Sequence, residues 1–361
     1  MKRIVKYSTI LIILTIMSAG CYPTGPRTVE NIDDIQSEAA KINNFSLSLT
    51  LPENTPSELP EVTTDAMLWE KDELLELLGK GRTIAYEKEY DLTLSEEKIH
   101  FIEFDDGATL SFEPALLSFD MVSGSSIDSI CSGVQSCISI VSNYYESYNL
   151  TFVDEIEGFP KSDAINRAKE LAEKLGITNL GEPSVLGLTH QDAEYFYNNE
   201  YWDYDDFELK EWTEDDDVYF ISFPLLFNGI PAETNEKNSE KAISPHSRID
   251  VIVTRNHIIE LECKSVVSPE HTNGRTIKIN YSASDILKRI VSDNSKMQLK
   301  DAVDYYDCEL TYAKVEWLPS GECKYIPVWR FDYTKTVDFG GVWQKLRKHE
   351  FYDVETGNKI L

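Results

Sequence analysis

Basic residues are scarce in this chain. Its 361 residues hold 34 Lys and Arg against 63 Asp and Glu, a formal net charge of -29. So acidic a surface repels nucleic-acid phosphates and anionic lipid headgroups, and no nucleic acid is expected as a partner. Cysteine is sparse as well, at six residues, and none has CxxC spacing. That removes the structural-zinc and thioredoxin-type readings. The six histidines include no i, i+4 pair and no HExxH, so metal-dependent hydrolysis has no ligand set. There is no GxSxG elbow and no P-loop, hence no visible serine nucleophile or phosphate cradle. Ser95-Glu96-Glu97-Lys98 matches SxxK and Ser292-Asp293-Asn294 matches SDN. No KTG follows, so penicillin-binding chemistry lacks its third part. No apolar run approaches the ~20 residues a helix needs to span a bilayer. The expectation is a non-enzymatic protein with no catalytic residue, metal or cofactor.

What is present begins at the N-terminus. Lys2, Arg3 and Lys6 precede a short apolar run from Ile10 to Met17, and Ser18-Ala19-Gly20 then stand before Cys21. That is the layout of a secretory signal over residues 1–20. A cysteine directly after Ala-Gly resembles the lipobox of bacterial lipoproteins. Ser18 departs from that pattern, which carries Leu or another aliphatic there. The resemblance implies that Cys21 is lipidated and becomes the new N-terminus. The protein would then be tied to the cell membrane by its lipid, on the extracytoplasmic face. A simple secreted protein is the alternative. Of the remaining five cysteines, Cys131 and Cys137 stand six positions apart in a Gly/Ser-rich loop. They are a candidate disulfide, with free or buried thiols as the alternative.

Residues 21–44 carry Pro, Gly and mixed polar residues without sustained periodicity and read as a flexible tether. An N-terminal α+β domain is expected over 45–150. Phe45, Leu47, Leu49 and Leu51 alternate with Ser46, Ser48 and Thr50 as in a half-buried strand. A short amphipathic helix over 69–78 precedes strands at 83–90, 99–104, 109–112 and 116–121, with Asp105-Asp106-Gly107 as a hairpin turn. A second α+β domain is expected over 151–361. Its clearest element is a helix over 161–175, with Ser162 as N-cap, an apolar stripe through Ala164, Ala168, Leu171 and Ala172, and Gly176 at the C-cap. Strands follow at 184–188, 218–227, 248–254, 257–267, 276–281, 308–318 and 324–331, with a helix over 284–291. Helices and antiparallel strands alternate without βαβ regularity, so the fold class is α+β, with antiparallel sheets each packed by one or two helices.

Ile326-Pro327-Val328-Trp329-Arg330-Phe331, followed by the terminal run from Phe351 to Leu361 with its Asp353, Thr356 and Gly357, resembles PepSY-type domains and the related YycH/YycI extracytoplasmic regulators. The helix ending Lys174-Leu175-Gly176-Ile177 adds to that likeness, which covers roughly residues 155–361. Val354 and one extra residue before the final aliphatic pair depart from the pattern. The resemblance implies modules that act by contact, on a sensor-kinase ectodomain or an extracellular peptidase. The expected partner is therefore an extracytoplasmic protein domain.

Two further readings compete. Asp250 on one strand, with Glu262 and Lys264 on its hairpin partner, resembles the metal site of restriction-type nucleases, where carboxylates hold a divalent cation and a lysine aids the water. A ligand- or solute-binding lipoprotein is the other, since 19 Tyr and six Trp can line a binding face. Aromatics over 195–202, from Tyr195 to Trp202, beside an acidic run are the candidate contact surface for a protein partner.

Overall fold

A computed structural model describes residues 32–91, 98–121, 151–200, 212–233, 247–317, 322–339 and 342–360. The fold is mixed α+β and mostly sheet, and its strands form two sheets. The first has eight strands in the order β3-β4-β5-β6-β12-β11-β8-β7. These are β3 (Ile84–Asp91), β4 (Lys98–Phe104), β5 (Thr109–Glu113), β6 (Leu116–Asp120), β7 (Ser184–Leu188), β8 (Val218–Pro224), β11 (Arg248–Thr254) and β12 (Ile258–Lys264). Every pairing in it is antiparallel. Gly107, at φ 85, closes the β4–β5 turn that Asp105-Asp106-Gly107 predicts.

One face of this sheet is covered by α2 (Lys71–Leu77) and α3 (Lys161–Lys174), whose Leu74, Ala164, Ala168, Leu171 and Ala172 join Ile102, Phe104, Leu110, Ile221 and Val251 in one core. Helix α3 ends as its sequence predicts. Gly176 takes φ 81, its N–H donates to Glu173 O, and the Ile177 N–H donates to Ala172 O (2.9 Å). This is a Schellman motif with Ile177 buried beneath it. Its start differs from the expectation. The N-cap is Pro160 rather than Ser162, and no side chain caps through it; instead the Lys161 N–H donates to Glu155 Oε1 (2.8 Å). The fixed φ of proline suits a helix entry, and the free N–H finds an acceptor outside the helix.

The second sheet has nine strands. Its centre is the hairpin of β14 (Ala302–Trp317) and β15 (Glu322–Phe339), paired almost throughout. Strand β2 (Glu58–Ala66) pairs with the start of β15 and with β13 (Val267–Lys278). From Val328 onward the same edge of β15 pairs instead with β16 (Val342–Asp353), which carries β17 (Lys359–Ile360). On the other side, β1 (Phe45–Leu47) and β10 (Ile230–Glu233) pair with β14 in parallel, and β9 (Leu226–Phe227) pairs with β10. Helices α1 (Ile32–Ala39) and α5 (Ala283–Ser295) pack on one face, over Trp329, Phe331, Tyr312 and Tyr325. Ser282 and Asp285 form a reciprocal capping box at the start of α5. The terminal turn follows its sequence: Asp353 Oδ1 accepts from the N–H groups of Glu355 (2.7 Å) and Thr356 (2.8 Å), and Gly357 takes φ 69.

Two expectations about organisation change here. Residues 32–44 are not tether: α1 buries Ile35 and Ala39, and Asn44 accepts from the Val303 N–H (2.9 Å). The i, i+4 spacing of those two side chains is the helical signal among the polar residues. Nor do the cores divide at residue 150. Strand β6 pairs with β12, and β1 and β2 pair with β14 and β15, so each core draws on both halves of the chain. The crossing is tight, since Val266 belongs to one core and Val267 to the other.

Candidate functional site

The face of the eight-stranded sheet opposite α2 and α3 gathers the residues singled out for nuclease-like chemistry. Alternation along β12 buries Ile259, Leu261 and Cys263 and turns Glu260, Glu262 and Lys264 outward. Asp250 lies directly opposite Glu262, so the hairpin does bring the three together. The Lys264 Nζ lies 2.6 Å from Glu262 Oε2 and 4.0 Å from Asp250 Oδ2. The Arg248 Nε donates to the same Asp250 Oδ2 at 2.6 Å. Two cations thus answer two carboxylates. Among the described residues no group of three or more His, Cys, Asp or Glu is placed to hold a metal ion. The arrangement is a charge-matched ion-pair lattice on a half-exposed face. Arg248 was the legible sign, since it stands two residues from Asp250 and so shares its face.

At the sheet's free edge the chemistry changes. All eight residues of β3 are exposed, and no described strand pairs with its outer side. Glu87 and Glu89 turn to the helix-covered side, where Glu87 pairs with Lys71 of α2. Tyr86, Lys88 and Tyr90 turn to the opposite face. There Tyr86 packs against Phe101 (6.4 Å between centroids) and Lys88 lies over the Tyr90 ring (4.3 Å). Lys98 holds Glu89 at 2.5 Å, which keeps that carboxyl below its ordinary range. Among the described residues the edge therefore offers main-chain groups with no strand partner beside an aromatic strip, its carboxylates Glu87 and Glu89 answered by Lys71 and Lys98.

The candidate surface over 195–202 is described only in part. Tyr195 lies on α4 (His190–Glu200) and is 51% exposed; the rest of the surface lies outside what is described. The base of α4 is pinned by Asp217, whose buried carboxylate accepts from the His190 N–H (2.8 Å) and the Arg255 Nη2 (2.6 Å) and contacts the His190 Nδ1 (2.8 Å). Cys21, Cys131 and Cys137 also lie outside the described residues. Cys263, Cys308 and Cys323 are free and buried. Burial raises all three thiols, that of Cys323 to about 11, so none is poised as a nucleophile.

Sequence reasoning missed Arg330, read only as part of an aromatic strand. It is buried at the middle of β15, with Nη1 on the fully buried Glu233 (2.6 Å), Nη2 near Glu309 (3.0 Å) and Nε near Asp332 (3.1 Å). Burial opposes its charge, but the Glu233, Asp332 and Glu309 carboxylates outweigh that and hold it above its usual range. An arginine inside an otherwise apolar strand run was the available signal. A groove between α3 and β7, lined by Lys161, Ile165, Lys169, Glu182 and Val185, is shallow and open.

No protein-family description matches the chain, and no curated protein matches it either. Its architecture is nonetheless that of a solved structure. An uncharacterized protein from Eubacterium rectale superposes with a TM-score of 0.64 over 92% of this chain and 99% of its own, at 13% identity. The two share a fold. YycH from Bacillus subtilis aligns at 12% identity over 83% of this chain and 98% of its own, with a TM-score of 0.18.

Proposed function

We propose that the protein is a non-enzymatic interaction module, held by a lipid on Cys21 at the outer face of the membrane, that takes up an extended segment of an extracytoplasmic protein along β3. The observation that carries this reading is an edge that no described strand pairs with, with Tyr86 and Tyr90 exposed on the face opposite α2. A sheet edge supplies main-chain hydrogen bonds for affinity, and alternate side chains supply specificity. The C-terminal likeness to PepSY and YycH/YycI-type regulators points to the same class of action, by contact with a sensor-kinase ectodomain or a peptidase.

A photoreactive phenylalanine placed in cells at Tyr86 or Tyr90 tests this, with Tyr195 as a second site and exposed Glu173 as control. One adduct of discrete mass from positions 86 and 90, absent from 173, is expected. An adduct from 195 alone would move the interface to α4. The same pattern from every position, or none, would remove the reading.

A further inference from the structure

The chain as a whole repels anionic headgroups, yet one end of the nine-stranded sheet reverses that sign. Beyond Thr336, which pairs with Ala302 at the start of β14, the β15–β16 hairpin runs on alone. Between residues 335 and 348 it carries Lys335, Lys345, Arg347 and Lys348 against a single Asp338, in a chain of net charge -29. Trp343, Lys345 and Arg347 alternate onto one exposed face, and Trp343 is 66% exposed. Arg347 rests over the Tyr306 ring (5.8 Å). Neither Lys345 nor Arg347 has a carboxylate within ion-pair distance among the described residues.

The neighbouring loop continues the pattern. Met297, 55% exposed, lies between exposed Lys300 and Lys296, the latter paired with Asp293 (3.1 Å). That loop is tied to the hairpin by Lys335 and Asp301 (3.0 Å) and to the N-terminal segment by Asn44, whose Nδ2 donates to Leu299 O (3.1 Å). Strand β1 runs parallel to β14 and enters beside Val303. The chain before β1 therefore approaches from the end where the hairpin projects. Residues 22–31 reach up to ~35 Å from Ile32 when extended, enough to connect a lipid on Cys21 to this end. The opposing charges nearby are Asp338, directly across the hairpin from Trp343, Asp304, on the Arg347 face two strands away, Asp301 against Lys335, and Asp33, Asp34 and Glu38 of α1, where Lys41 pairs with Glu38 (2.5 Å).

We infer that this end, through Trp343 and Met297 with Lys300, Lys345 and Arg347, seats the protein against an anionic bilayer. Tryptophan favours the headgroup level, and surface lysine and arginine add electrostatic attraction to anionic lipid. The proposal rests on the lipid-anchor reading for its orientation, whereas its test does not. The chain from Tyr22 to Leu361 retains every described residue and carries no lipid. It is mixed with vesicles of phosphatidylglycerol and phosphatidylcholine, and with phosphatidylcholine alone.

Sedimentation with the anionic vesicles only is expected, weakening as salt rises, with a blue shift of emission that Trp343→Phe removes. K345E with R347E should weaken partition at least about tenfold while leaving the thermal midpoint unchanged. Equal binding to both vesicles, no binding, or binding indifferent to these substitutions would overturn the inference; self-association in place of vesicle binding would overturn it equally. Separately, Cys21→Ala should release the full chain from the membrane fraction. Retention would sink the lipid anchor and leave the vesicle result standing.

Discussion

At the scale of single residues, Arg330 and Lys264 show how similar charges take different weight from depth. Lys264 and its partners sit on a half-exposed face, where solvent screening leaves a pair with little net value. Arg330 and Glu233 are buried, and cutting such a pair leaves an uncompensated charge that costs about 3–5 kcal/mol. Arg330→Ala is therefore expected to lower unfolding stability by that amount in urea titration, while Lys264→Ala changes it by less than about 1 kcal/mol. Equal effects would mean that the Arg330 cluster is open to water. The Asp250, Glu262 and Lys264 grouping was legible because strand alternation and a hairpin suffice to predict it. The Arg330 cluster was not, because its carboxylates come from β10, β14 and β15, and their meeting depends on sheet order rather than on spacing.

At the scale of elements, terminators were the most legible signals. The Gly176 cap, the Asp105-Asp106-Gly107 turn and the Asp353 to Gly357 turn all form as local chemistry predicts. Gly357 is constrained twice. Its φ is 69, and a Cβ there would stand 2.9 Å from the Tyr281 ring. Gly81 shares the conformation, at φ 84, with nothing within 4 Å. Gly81→Ala is thus expected to cost about 1–2 kcal/mol from the backbone alone, and Gly357→Ala clearly more, as read from paired chemical denaturation curves. Matching costs would show that the terminal turn yields to make room. Strand length was less legible. The sequence ends one strand at Phe331, yet β15 continues to Phe339, because Asp332, Lys335 and Asp338 break the apolar alternation without breaking the ladder. Most of β16 escaped notice for the same reason, its exposed face being charged and its partner far away in sequence.

At the scale of the molecule, two cores are woven from one chain, and consecutive segments do not fold consecutively. Strand β6 needs β12, and β1 and β2 need β14 and β15. The fragment 45–150 is therefore expected to lack a cooperative thermal transition when expressed alone, whereas 32–361 shows one; a folded 45–150 would require a different β6 edge. The sequence by itself determined the α+β class, the helix faces, the turns and the in-out alternation of most strands. Each of those depends on neighbours within a few residues, through backbone geometry and the period of apolar side chains. Only the tertiary structure decided the strand order, the recruitment of residues 32–44 into a core, the burial of Arg330 and which edges stay open. Those follow from contacts between residues hundreds of positions apart, whose pairing is selected by the fit of whole faces and leaves no local pattern to read.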